Sequence, residues 1–172
     1  MKKVIFKEYS KNYPDLFNKE KKQLLSFLKH VKIEHVGSTA VPGLKGTGII
    51  DILVGTKKNF ILDNKKLLEE NGFIFRDSYG DNKRLFFKKA NKDTEWIYVH
   101  LVKLNKIKWN DALLFRDFLT ANPKEKDYYS KIKTEALNDA NGESKLYRKY
   151  KEECIEFIIN KAKNSKFNNK IV

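Results

Sequence analysis

Residues 35–54 read HVGSTAVPGLKGTGIIDILV, a Gly37-Ser38 turn, a loop with Pro42, Gly43, Gly46 and Gly48, and an apolar run interrupted by Asp51. The run is apolar at odd and even positions alike, as a central strand is when both faces of its sheet are covered. A strand over Thr47–Val54 is therefore expected at the middle of a sheet. A carboxylate among Ile49, Ile50, Ile52 and Leu53 is costly to ionise unless it has a partner, binds a cation or keeps its proton. Gly37 allows close backbone approach to a ligand, and the amides and hydroxyls of Ser38 and Thr39 suit phosphate oxygens. An aspartate on the next strand suits Mg²⁺ or Mn²⁺ held against those phosphates, because hard cations take carboxylate oxygen.

The elements around this stretch read outward from it. A short strand VIFKEY precedes a helix over Asp15–Lys29 that places Leu16, Phe17, Leu24, Leu25 and Leu28 toward one side. Lys32–His35 is extended, and Asn59–Asn71 is a helix closed by Gly72. Phe73–Asp77 and Lys83–Lys89 flank a turn at Gly80-Asp81 and pair as a hairpin. In a strand over Glu95–Lys103, Trp96, Tyr98, His100 and Val102 share one face and Ile97, Val99 and Leu101 the other. Helices follow over Asp111–Ala121, Pro123–Asn138 and Ser144–Lys163, with proline suited to the first turn of the second. A mixed sheet with flanking helices and a helical C-terminal segment makes an α/β (α+β) domain. Residues 1–165 form a single domain on this reading, and 166–172 a frayed tail.

Composition narrows the function classes. The 172 residues are 41% hydrophobic and 13% aromatic, enough for a core. No run of about 18 apolar residues occurs, and the N-terminus has no apolar segment of a secretory leader, so a cytoplasmic protein without a membrane span is expected. The lone Cys154 lies in a helical stretch and reads as a small core side chain. A net charge of +14 favours an anionic ligand such as a nucleotide. The excess is almost all lysine, spread along the chain, which favours a solvated surface over a nucleic-acid footprint.

HVGSTAVPGL followed by IIDILV resembles the GrpB-like family, a branch of the nucleotidyltransferase superfamily. RLFFKK, YVHLV, LLFRDFLTANP, YYSKIK and LYRKYKEECIEFI resemble its later blocks in order, so the likeness runs from about Tyr9 to Lys163. It implies a nucleotidyltransferase-like core, a nucleoside triphosphate or other anionic small molecule as ligand, and nucleotidyl transfer to an unknown acceptor. Active members of the superfamily hold two metal ions on Asp-x-Asp or Asp-x-Glu and a third acid. Gly37 and Ser38 match the turn and Asp51 the first acid; Leu53 occupies the second acid position, and His100 lies where the third is expected. Relatives carry Ala-Ala-Lys-Pro where this chain has Lys45-Gly46-Thr47-Gly48, so Lys45 is the basic side chain near that place. They carry His-x-His where this chain has Tyr98-Val99-His100.

Asp51 and His100 thus have three readings: ligands of one divalent metal, an acid–base pair, or a structural hydrogen bond. Arg84 is a phosphate-binding candidate from its strand position. Arg116 and Lys133 are candidates because they match family blocks, and Lys151 stands at i+4 from Tyr147 as Lys133 does from Tyr129. For any one of these cations the plain alternative is a solvated or salt-bridging surface. Phe86, Phe87, Tyr128 and Tyr129 are expected in the core. A degenerate nucleotide- or anion-binding module and a nonspecific RNA-binding protein stand as the alternative functions.

Overall fold

The computed structural model describes residues 4–81, 83–141 and 143–165; the tail assigned to 166–172 lies outside them. The order is α1 (Tyr13–Phe27), β1 (Val31–Val36), β2 (Ile50–Thr56), α2 (Ile61–Glu70), β3 (Ile74–Phe75), β4 (Arg84–Asn91), β5 (Glu95–Lys103), α3 (Ile107–Ala121), α4 (Pro123–Asp139) and α5 (Ser144–Asn164). The five strands form one mixed sheet in the order β1-β2-β5-β4-β3. β2 and β5 run parallel at its centre, and the other neighbours are antiparallel. This is the mixed α/β architecture expected, with the GST stretch leading into the central strand.

Alternation sends the two faces of the sheet to different tasks. Ile50, Ile52 and Val54 of β2 join Ile97, Val99 and Leu101 of β5 in a core closed by Tyr13, Phe17 and Leu24 of α1 and Leu68 of α2. On the opposite face Leu53, Val36 and Val102 pack against Trp109 of α3. A second core joins α3 and α5 to the glycine loop, through Leu114, Phe115, Phe118, Leu119, Tyr129 and Ile158 around Val41 and Leu44. Each fully buried side chain of this kind contributes roughly 1.5–3 kcal/mol from removal of apolar surface from water. Gly55 sets how close α3 comes: a Cβ there would lie 2.5 Å from the Trp109 ring.

Several boundaries differ from the sequence reading. β2 begins at Ile50, because Gly48 has φ +75° and breaks the extended path. The N-terminal VIFKEY forms only an isolated bridge, Lys7 with Gly46. The hairpin is present, but β3 is two residues long. α3 starts at Ile107, four residues before Asp111, so Lys108 and Trp109 are helical. Leu25 is half exposed, and Tyr13, which precedes the expected helix, is buried in the core. Cys154 packs beside the α3–α5 cluster, as a small apolar residue does.

Candidate functional site

β2, β5 and β4 present Asp51, Leu53, His100, Val102 and Arg84 on the face that looks toward α3, α4 and α5. A cavity of about 250 Å³ opens there, lined also by Gly37, Ser38, Phe115, Tyr129, Lys133 and Lys151. The parallel register puts Asp51 beside Tyr98 and Leu53 beside His100, so Asp51 and His100 are diagonal neighbours. His100 Nε2 lies 3.1 Å from Asp51 Oδ1, and the two side chains are 16% and 17% exposed. Burial pushes the Asp51 carboxyl upward, but the His100 hydrogen bond and the charges of His100, Lys151 and His35 bring it below the ordinary carboxylate range. Asp51 is therefore an ionised acceptor, and His100 donates from Nε2. That leaves His100 Nδ1 buried with no partner among the described residues.

The turn is built around the carboxylate. Gly37 has φ +75°, and a Cβ on it would meet Asp51 Oδ2 at 2.5 Å. Only glycine supplies both the conformation and the space. Ser38 presses on Gly46 from the cavity side, where a Cβ would collide with its Oγ and stand 3.9 Å from Lys133 Nζ. The serine hydroxyl and the lysine amine are thus neighbours across one glycine.

Lys133 is only 2% exposed. Its amine donates to the Lys45 carbonyl and lies 5.0 Å from the ring centroid of Tyr129 and 5.3 Å from that of Phe6. No ion pair among the described residues involves it. Burial, reinforced by the charge of Lys151, lowers its pKa to about 7. A buried amine without a carboxylate partner is an unusual expense in a fold and marks a place where an anion is welcome.

Not every predicted residue reaches this cavity. Thr39 is 2% exposed and its hydroxyl donates to the Ile49 carbonyl at 3.1 Å. It accepts in turn from His35 Nε2 at 3.0 Å, so it ties the turn to β2 and has no proton left for phosphate. His35 stacks on Phe17 at 4.6 Å, and burial drops its pKa to about 4, keeping it neutral. Lys45 points away to Glu8, 2.5 Å distant. Arg116 is consumed by Glu34 and the His35 carbonyl, each at 2.9 Å, and by Asp117 at 2.7 Å. Its guanidinium folds back to reach Asp117 directly, although adjacent helical residues diverge at Cβ. These three residues hold the turn, its loop and α3 in place and do not line the cavity.

Lys108 and Asp111 do line the cavity and were not among the expected site residues: Lys108 lies in the first turn of α3, which was taken as loop, and Asp111 stood at the start of the expected helix. Both are paired already, Lys108 with Asp81 at 2.9 Å and Asp111 with Lys163 at 2.6 Å. The aromatic residues divide: Phe86 and Phe87 are buried, Tyr129 is a buried cavity wall, and Tyr128 is 45% exposed on the outside of α4. No helix among the described residues is long and apolar enough to cross a membrane.

The family model described as "GrpB protein" matches residues 3–161. The Glutamate-rich protein GrpB of Alkalihalophilus pseudofirmus is 32% identical over 164 residues, covering 91% of this chain and 94% of that one. The crystal structure of the conserved protein GrpB from Enterococcus faecalis superposes with a TM-score of 0.78 at 27% identity, over 92% of this chain and 96% of that one. A more distant likeness is to the Cid1 poly(U) polymerase with MgGTP bound, at TM-score 0.51 and 14% identity, over 75% of this chain and 44% of that one. That last likeness is one of fold alone. The chain belongs to the GrpB family.

Proposed function

We propose that this protein binds a nucleoside triphosphate in the cavity between the sheet and α3–α5, and transfers its nucleotidyl group to an acceptor hydroxyl. The observation that carries the reading is the meeting of the Gly37–Ser38 turn, ionised Asp51, His100, Lys133 and Lys151 in one cavity. Ser38, Lys133 and Lys151 hold the polyphosphate, and the two amines offset its charge. An acceptor oxygen attacks the α-phosphorus, the bond to pyrophosphate breaks, and the acceptor proton passes to the Asp51–His100 pair.

The donor set decides how a divalent ion fits. Among the described residues no group of three His, Cys, Asp or Glu side chains converges on one point. Leu53 removes the second carboxylate, and His100 Nε2 is turned to Asp51, which favours the acid–base reading of His100 over the metal-ligand one. One carboxylate suits a single Mg²⁺ or Mn²⁺ that arrives with the phosphates and keeps several waters. Bound there on Asp51, it would neutralise charge on the transferred group.

Calorimetric titration of ATP, GTP, CTP and UTP, with and without Mg²⁺, on wild type and Asp51→Ala tests the proposal. Metal-dependent binding abolished by the substitution is the expected result, and no nucleotide binding in any condition overturns it. Leu53 favours a second reading, a nucleotide-binding module without transfer activity. Absence of pyrophosphate release across an acceptor screen, with binding intact, selects it.

A further inference from the structure

Arg84 enters the cavity at the end remote from the Gly37–Ser38 turn. It stands opposite Val102 on β5, and Val102 stands beside Gly55 on β2. Asp51 is four residues back along β2 and two strand spacings across from Arg84, with β5 between them. At sheet spacings that is about 16 Å between the two α-carbons, more than an arginine side chain can span. The turn lies farther still, since Val36, just before Gly37, is the partner of Asp51. Arg84 therefore stands at the opposite end of the cavity from Ser38 and the turn.

Its charge is also uncompensated. Among the described residues Arg84 makes no ion pair; one terminal nitrogen donates to the Tyr79 carbonyl at 3.0 Å, and Nε is buried without a partner. Asp81 is close enough for the charge of Arg84 to lower its pKa, but its carboxylate is taken by Lys108 and by the Lys83 amide. Lys108, another cation at this end, is thereby neutralised. A part-buried guanidinium left in this state is unfavourable until an anion completes it, and its planar fork suits a phosphate or carboxylate. Between Arg84 and Asp51 the cavity floor is His100, flanked by the apolar side chains of Leu53 and Val102.

We propose that Arg84 is the anion subsite of the acceptor, which is a molecule carrying a phosphate monoester or a carboxylate at one end and the reacting hydroxyl at the other. The inference rests on the nucleotide reading of the same cavity and names the chemistry of its second substrate. On this view the acceptor lies over His100, between Leu53 and Val102, which brings its hydroxyl to the Asp51–His100 pair while its anionic end is fixed by Arg84.

Equilibrium dialysis with radiolabelled inorganic phosphate tests the subsite on the full chain. Wild type is expected to take up two phosphates. Arg84→Met, which keeps the aliphatic stem, loses one and keeps the other. Lys133→Met shows the converse. Arg84→Lys keeps the charge but not the fork and weakens the second phosphate about tenfold or more; it decides the matter should Arg84→Met fail to fold. Retention of both phosphates by the Arg84 variants, or a single phosphate in wild type that only Lys133→Met removes, overturns the proposal. Succinate that displaces only the Arg84-dependent phosphate identifies a carboxylate-tolerant subsite, and failure to displace it identifies a phosphate-selective one. ATP titrations of Arg84→Met separate this proposal from the nucleotide reading: unchanged ATP affinity is expected. Loss of ATP binding through Arg84 places the residue at the nucleotide and overturns the acceptor assignment, whereas wild type that binds no ATP overturns the nucleotide reading.

Discussion

Leu53 follows Asp51 by two residues on the same face of β2, and the two side chains have opposite surroundings. Asp51 is hydrogen-bonded to His100 at 3.1 Å, while Leu53, 2% exposed, is packed with Val36, Val102 and Trp109. A carboxylate at position 53 would restore the spacing of two acids but would be buried without a partner. Leu53→Asp is expected to lower stability by about 3–5 kcal/mol in metal-free buffer. Mn²⁺ then raises the melting temperature of the variant much more than that of wild type, since a ligand at a hundred times its Kd contributes about 2.7 kcal/mol. Thermal melts with and without Mn²⁺ check this; equal metal responses would show that position 53 no longer faces a cation site.

Gly37 is where backbone and catalytic geometry are one requirement. Its φ of +75° with ψ −169° costs an L-residue about 1–3 kcal/mol, and a Cβ would be 2.5 Å from Asp51 Oδ2. Gly37→Ala is expected to destabilise by at least that amount and to weaken nucleotide binding at least tenfold by displacing the carboxylate. Chemical denaturation and calorimetry on the same preparation measure both effects. A variant destabilised but with unchanged nucleotide affinity would separate the turn from the ligand.

Much of this site was legible before the structure. The alternation of β5 gave the face carrying His100 and the apolar run gave a central β2, while the resemblance to the GrpB-like family is what set His100 near Asp51, and the two do lie on neighbouring strands. Side-chain commitments were not legible. Thr39 and Lys45 sit in or near the turn in sequence and Arg116 lies far from it on α3, yet their partners are Ile49, Glu8 and Glu34, which the fold brings near. Lys133 was one cation in a lysine-rich chain; its burial depends on how α4 lies against the glycine loop, and only its spacing from Tyr129 hinted at an inward face. The first turn of α3 was missed because its IKWN carries no capping side chain, and Trp109 is held by Gly55, distant in sequence.

Arg116 is expected to be structural. It joins α3 to β1 through Glu34 and the His35 carbonyl, with side chains only partly buried. Solvent screening limits what those ion pairs contribute, so Arg116→Ala should cost about 1–2 kcal/mol. Its nucleotide affinity should stay within about twofold of wild type once measured well below the melting temperature. A much larger loss of affinity in a fully folded variant would return Arg116 to the ligand site.

Lys133 should make ligand binding depend on pH. Burial, with Lys151 adding to it, brings its pKa from 10.5 to about 7. The ammonium form attracts phosphate, so its contribution is complete below pH 7 and is lost as pH rises through that value. Affinity for ATP should therefore fall between pH 7 and 9, by at most about tenfold per unit. Lys133→Arg, which stays charged throughout, should be flat over that range. Folding responds in the opposite sense. Between about pH 7 and 10.5 the unfolded chain holds the Lys133 proton and the folded chain does not, so this group makes stability rise with pH. Lys133→Met removes the buried charge and should melt no lower than wild type at pH 7 while binding ATP at least tenfold more weakly. Calorimetry and thermal melts across the pH series report both arms; a wild-type ATP profile as flat as that of Lys133→Arg would show that the amine does not meet the phosphate.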